Sequence, residues 1–234
     1  PLGLLTLGGM LPRHWSFRLI DVNVTKLTQE DLAWADLAFV SAMAVQRESA
    51  RDTISLCKSA GLRVVAGGPL FTGEYDQFSE VDHFVLNEAE LTLPLFLSDL
   101  EKASLQKIYR THEYADMTQT PAPMWELLDM KRYASMSIQF SRGCPFDCEF
   151  CNVTALFGHR TRIKNSHQVI QELNGLYDLG WRGQVFFVDD NFIGNKRYLK
   201  QHLLPALIQW QNGKKGINFN TEASVNLADD SELM

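Results

Sequence analysis

Residues Ser137–Asn152 read S-I-Q-F-S-R-G-C-P-F-D-C-E-F-C-N, and no other stretch restricts the fold as much. Cys144, Cys148 and Cys151, three of the chain's four cysteines, fall within eight residues at CxxxCxxC spacing. Gly143 and Pro145 flank the first cysteine and mark a turn. Met136–Phe140, an apolar and polar alternation, reads as a short strand running into that turn. The expectation is a strand delivering a loop whose three thiolates point at one place. Thiolates held so close repel one another unless a metal centre neutralises them.

Counting ligands separates the candidate metals. A closed zinc site takes four, so a fourth would have to come from a residue such as His159 or Cys57. An iron–sulfur cubane takes one ligand per iron, usually cysteines at short spacings, so three cysteines leave one iron open. The spacing, with Phe150 just before the last cysteine, resembles the signature of the radical S-adenosylmethionine (SAM) superfamily. That resemblance implies a four-iron four-sulfur cluster on Cys144, Cys148 and Cys151. It also implies a SAM molecule chelated by the open iron and cleaved by one electron to a 5′-deoxyadenosyl radical. The aromatic, the preceding strand and the downstream pattern favour the cluster. A non-enzymatic zinc-binding interaction protein is the alternative from another class.

Composition removes several other classes. Of the 234 residues, 45% are hydrophobic and 21% charged, as in ordinary globular chains, and the length suits one or two domains. A formal charge of −6 argues against a nucleic-acid binder, the only basic cluster being Arg160, Arg162 and Lys164. No apolar run approaches the ~20 residues of a membrane span. Clustered cysteines in a cysteine-poor chain point to metal ligation in a reducing cytoplasm, leaving Cys57 as a small buried apolar residue. The chain begins Pro1-Leu-Gly and stops at Met234, which reads as a fragment of a longer protein.

In the first half, strand and helix patterns alternate. A short helix over Leu2–Leu11 and a strand at Arg18–Val22 precede a capping-box helix start at Thr28–Asp31. Leu37–Met43 reads as a strand buried on both faces, Arg47–Ala60 as a helix, and Leu62–Ala66 and Val81–Leu86 as further strands. A helix then runs to about Glu101. The alternation predicts a doubly wound, parallel α/β sheet, with ligands outside the carboxyl ends of its strands. Three loops occupy that position: Ser41-Ala42-Met43, Gly67-Gly68-Pro69 and Asn87-Glu88-Ala89-Glu90. Lying directly before the cysteine loop, this Rossmann-like domain resembles the cobalamin-binding domain of cobalamin-dependent radical SAM proteins. The resemblance implies cobalamin contacts from Ser41, Ala42, Met43, Gly67, Gly68, Pro69, Asn87 and Glu88. The Asp-x-His-x-x-Gly motif of other cobalamin proteins is absent, which argues against a histidine-ligated cobalt.

Residues 1–112 are thus expected to form the cobalamin-binding domain, truncated at its N-terminus, and 113–135 a linker anchored by Trp125. Residues 136–234 are expected to form a partial (β/α) radical SAM barrel. Its further elements are a helix at Ser166–Leu179, a strand at Gln184–Val188, a helix at Asn195–Trp210 kinked by Pro205, and a strand at Ile217–Ala223. Functional groups of such barrels gather at the carboxyl ends of the strands. That rule brings the cysteine loop, Asp189-Asp190-Asn191 and Glu222 together. The resemblance then implies SAM contacts from Phe150, Asp189, Asp190, Asn191 and Glu222, with Asp-Asp-Asn-Phe standing where the superfamily often has Gly-Gly-Glu. Arg160, Arg162 and Lys164 would face a SAM carboxylate or solvent. The subfamily resembled includes the hopanoid methylases, which implies methyl transfer from cobalamin to an unactivated carbon of a small-molecule or lipid substrate. An electron donor such as flavodoxin or ferredoxin would supply the electron. A cobalamin-dependent cyclisation or rearrangement without methyl transfer is the alternative within the class. No catalytic acid or base is assigned.

Overall fold

Short strands carrying apolar side chains on both faces build the first half of the molecule. The computed structural model describes residues 1–234. Its internal packing divides the chain into one unit running to Ala115 and another from Asp116 to Met234. The first unit contains helices α1 (Leu2–Met10) and α2 (Gln29–Trp34), strand β1 (Leu37–Ser41), α3 (Arg47–Ser59) and β2 (Arg63–Gly67). It continues through α4 (Pro69–Glu74), β3 (His83–Val85), α5 (Ala89–Glu101) and β4 (Ile108–Tyr109). The four strands are all parallel. Val64, Ala66, Phe84 and Leu86 cluster with Ile54 and Cys57 of α3 and Leu70 and Phe71 of α4. Val65, Val85 and Tyr109 cluster instead with Leu93 and Phe96 of α5 and with Leu11. Successive strand residues point to opposite faces, so both faces of the sheet are sealed.

Helix α2 starts where the capping box predicts. The Thr28 hydroxyl accepts from the Asp31 amide at 3.2 Å, and the Asp31 carboxylate accepts from the Thr28 amide at 3.0 Å. Asp82 ties α3 to the sheet, accepting from Lys58 Nζ at 2.6 Å and from the Val64 amide at 2.7 Å.

The strand order is β1-β2-β3-β4, with helices on both faces of the sheet. Two expectations for this unit are corrected. Strand β1 is an edge strand, half-buried rather than sealed, because only β2 pairs with it. Arg18–Val22 forms no strand. There the Asp21 carboxylate accepts from the Asn23 amide at 3.0 Å, and the Asp21 carbonyl accepts from the amides of Val24 and Thr25. A local turn of this kind competes with ladder pairing.

The second unit carries β5 (Ser135–Ile138), β6 (Ser141–Arg142), α6 (Val153–Phe157), β7 (Arg162–Ile163), α7 (Ser166–Asp178) and β8 (Gln184–Phe187). After these come α8 (Lys196–Tyr198), α9 (Leu204–Gln211) and β9 (Asn218–Thr221). Strands β5, β8 and β9 form a parallel sheet in chain order, with α7 and the α8–α9 pair as crossovers. Met136, Ile138, Val185 and Phe187 of the strands and Val169, Leu173 and Leu176 of α7 are buried. Pro205 does not simply kink one helix. A π-helical turn at Leu199–Leu203 separates α8 from α9 and precedes the proline at the start of α9. The wider turn accommodates a residue that has no amide to donate to the carbonyl four positions back.

Most of the segment expected as a linker, from Asp116 to Ala134, groups with this unit. Gln168 Nε2 donates to the carbonyls of Met117, Thr118 and Thr120 at 3.1–3.2 Å, and Trp125 is buried. Three short strands, β4, β6 and β7, and helix α4 are not expected from the sequence. Two-residue ladders are too short to show a period. No helix is long and apolar enough to cross a membrane.

The sheet of the first unit makes a steric demand that can be tested. A Cβ at Gly67 would lie 2.5 Å from the Val85 carbonyl oxygen, whereas one at Gly73 in α4 would meet nothing within 4 Å. Gly67→Ala should therefore lower unfolding free energy by about 1–3 kcal/mol. Gly73→Ala should be neutral or stabilise by up to about 1 kcal/mol. Urea denaturation of the two variants measures both.

Candidate functional site

The cysteine loop is fastened at both ends before any cysteine is reached. At its start, strand β5 leads through Gln139 and Phe140 into β6, and β6 pairs antiparallel with β7 in the register Ser141↔Ile163 and Arg142↔Arg162. This two-residue ladder brackets residues 143–161 as one closed loop. Gly143 is buried at φ +89°, and a Cβ there would approach the carbonyl oxygens of Arg160, Gly158 and Phe157 to 2.6, 3.0 and 3.1 Å. Only glycine combines that conformation with so close an approach. The Cys144 amide donates to the Gly158 carbonyl at 3.2 Å, and the Cys151 amide donates to the Cys148 carbonyl at 2.9 Å.

All four cysteines are free thiols. Cys144 is half-buried, Cys148 and Cys151 are exposed, and Cys57 is buried in the core of the first unit. The donor chemistry therefore fits an iron–sulfur cluster: three unpaired, reachable thiols on one loop with fixed ends. Cys57, buried in the core of the first unit, stands apart from these three.

The acidic end of β8 meets the start of this loop. Asp189 is buried and accepts from three donors of the incoming chain: the Phe140 amide at 3.2 Å, the Ser141 amide and the Ser141 hydroxyl. Asp190 is half-buried and accepts from the Gly143 amide at 2.8 Å. Asn191 is buried and exchanges hydrogen bonds with Ser224, its Nδ2 donating to Ser224 Oγ at 3.1 Å and its Oδ1 accepting from the Ser224 amide at 3.2 Å. The Phe192 amide donates to the Glu222 carbonyl at 3.1 Å, which joins the ends of β8 and β9. The residues expected to share one end of the sheet do so. Asp189 and Asn191, however, spend their polar groups on the chain itself, while Glu222 and Phe150 are exposed, Phe150 at 93%.

Burial pushes Asp189 up to about 6, outweighing its three hydrogen bonds, with neighbouring Asp190 adding to the rise. Burial also raises Asp190, opposed by the Gly143 amide and by the charges of Arg142 and Arg162. Lys164 faces neither solvent nor a ligand. It is buried, and its ammonium lies 2.5 Å from the carboxylate of Glu172 on the inner face of α7. Sequence reading missed Glu172 because a lone acid on an apolar stripe carries no periodic signal. Lys164 eight residues before it was the only available clue.

In the first unit the three expected loops do lie at the carboxyl ends of β1, β2 and β3. Ser41, Met43 and Pro69 are exposed, and Gly67, Gly68 and Asn87 are half-buried. A Cβ at Gly68 would meet Ser41 Oγ at 2.5 Å, so these two residues already touch. Ala42 is buried, its carbonyl accepting from the Leu70 amide at 3.0 Å. Glu88 is also buried, and its carboxylate accepts from the Ala115 amide at 2.7 Å. The rim available to a ligand is therefore Ser41, Met43, Gly68, Pro69 and Asn87, while Ala42 and Glu88 are committed internally.

No family model matches the chain. Over all of its length it is 48% identical to an uncharacterized methyltransferase of Synechocystis sp., of which it covers 44%. It is 36% identical to the hopanoid C-2 methylase of Rhodopseudomonas palustris, again over 100% of this chain and 45% of that protein. The chain thus spans less than half the length of these relatives. Among solved structures, the radical S-adenosylmethionine methyltransferase TsrM of Kitasatospora setae, with cobalamin and a 4Fe-4S cluster bound, superposes with a TM-score of 0.61. The match has 15% identity and covers 79% of this chain and 43% of that one, a likeness of fold.

The raised Asp189 carboxyl predicts a pH dependence. Between the ordinary value of 3.8 and about 6, the folded chain keeps a proton that the unfolded chain has released. Its stability contribution is therefore complete below about pH 4 and lost as pH rises through about 6. Asp189→Asn is neutral throughout. The wild-type advantage in unfolding free energy over this variant should fall across that window by at most about 1.4 kcal/mol per pH unit. A pH series of urea denaturations checks the slope, and a flat difference would contradict it.

Proposed function

We propose, taking as premise the kinship of this chain with the hopanoid methylases and related radical SAM methyltransferases, that it carries the cofactor-binding part of a cobalamin-dependent radical SAM methylase. In this reading Cys144, Cys148 and Cys151 hold a four-iron four-sulfur cluster and leave one iron for the amino and carboxylate groups of SAM. Bound together, the cluster and SAM supply a carbon-centred radical able to take hydrogen from an unactivated carbon, and cobalamin supplies the methyl group.

The chain's own residues position and shield. The β6–β7 ladder and Gly143 hold the cysteine loop at the carboxyl end of the β5–β8–β9 sheet. Phe150, fully exposed beside Cys151, is available to cover bound SAM, and Glu222 to accept from its ammonium. Asp190 and Asn191 line the same end of the sheet. In the first unit, Ser41, Met43, Gly68, Pro69 and Asn87 form the rim offered to cobalamin, with Met43 61% exposed. The substrate is a small molecule or lipid, and the electron comes from a flavodoxin- or ferredoxin-like donor.

One observation carries the reading: three free, accessible thiols on a loop fixed at both ends, in a chain 36% identical along its whole length to a hopanoid C-2 methylase. Anaerobic reconstitution with iron and sulfide should load about four irons per chain. Electron paramagnetic resonance should then give a reduced-cluster signal that changes on adding SAM. Replacing Cys144, Cys148 and Cys151 together by alanine should abolish both. Hydroxocobalamin retained through gel filtration, followed by absorbance, supports methyl transfer. A cluster without cobalamin removes the methylase and leaves a radical SAM enzyme. Zinc in place of iron, in a colourless and oxygen-stable protein, sinks the enzyme reading.

A further inference from the structure

Helix α7, strand β8 and the cysteine loop share a set of charges that the reading above does not use. The ladder closing the loop places Arg142 directly opposite Arg162. Like charges facing each other across a strand pair disfavour pairing. Asp190, just past the end of β8, is the acid whose charged form both arginines favour, and Arg142 favours that of Glu172 in α7 as well. Arg142 Nε donates to the Gln139 side-chain carbonyl at 2.9 Å, and one Arg162 Nη donates to the Phe157 backbone carbonyl at 3.1 Å, so the second guanidinium also braces the loop backbone. The same Asp190 carboxylate accepts from the Gly143 amide at 2.8 Å, one residue before the first cysteine. Gly143 in turn is enclosed by the carbonyls of residues 157, 158 and 160 from the far end of the loop.

We propose that Asp190 is a positioning residue of the cysteine loop. It acts on the cluster through the Gly143 amide and the Arg142–Arg162 pair, rather than by contact with SAM. Its carboxylate fixes the peptide leading into Cys144 and supplies the countercharge that lets two arginines close the loop side by side. The inference deepens the cluster reading and rests on it for its consequence, though its geometry stands on the protein alone.

Two variants separate the roles. Asp190→Ala removes both acceptor and charge, whereas Asp190→Asn keeps an acceptor for the Gly143 amide. In the metal-free protein, Asp190→Ala should speed hydrogen exchange of the Gly143 amide by roughly tenfold while exchange in α7 and β8 stays unchanged. Alkylation of Cys144, half-buried at the loop's start, should accelerate several-fold, and that of exposed Cys148 and Cys151 should change little. After reconstitution the variant should hold less than half the wild-type iron, and Asp190→Asn should recover most of the protection and loading. Unchanged Gly143 exchange in Asp190→Ala overturns the proposal, as does an asparagine variant as poor as the alanine one. A fully loaded, protected alanine variant whose resonance signal no longer responds to SAM also overturns it and makes Asp190 a ligand contact. If the wild-type chain takes up no cluster, the functional reading fails, while the exchange and alkylation data still decide the positioning role.

Discussion

A buried carboxylate joins the two strands on which the second unit is built. Asp189 leaves the end of β8 and gathers two amides and a hydroxyl from the chain emerging from β5. Those donors belong to a stretch where the backbone leaves the β5–β8–β9 sheet, and the acid satisfies amides and a hydroxyl that are buried there. Removing a carboxylate from water is costly, and the upward shift of its proton affinity registers that cost even with three donors in place. The arrangement makes the carboxyl end of this sheet a fixed platform, and the cysteine loop starts from it.

From that platform the loop needs very little secondary structure. A two-residue ladder, one glycine in the left-handed region and one amide held by Asp190 define where it begins and ends. Between them lie three free thiols, half-buried Cys144 at the start and exposed Cys148 and Cys151 further along. The buried Lys164–Glu172 pair anchors the exit of the loop to α7. Such a pair gains little net stability over apolar packing, yet breaking it would strand a charge in the interior. Acids from β8 and α7 thus secure the loop on both sides.

The first unit reaches a similar outcome by steric means. Its strands pack so closely at their carboxyl ends that Gly67 and Gly68 leave no room for a side chain against Val85 and Ser41. Small residues here let the strand ends approach one another. Glu88 shows the same economy, its carboxylate closing the unit onto Ala115 rather than facing outward.

Much of this was legible in the sequence, because the signals were periodic or chemically specific. The short apolar runs of Leu62–Ala66 and Val81–Leu86, the 3.6-residue stripes of α3 and α7, and the capping box at Thr28 depend on neighbours a few residues away. Local chemistry is enough to read them. The cysteine spacing likewise singled out three thiols without a fold, and all three are free. What only the tertiary structure decided were relations between residues about 8 to 50 positions apart. Asp189 and Asp190 turned inward to the loop's amides, Lys164 found Glu172, and Cys57 was sealed within a core. The Arg142–Arg162 ladder formed. Each of these depends on which polar group the closing sheet leaves unpaired, and that is settled only when distant segments meet.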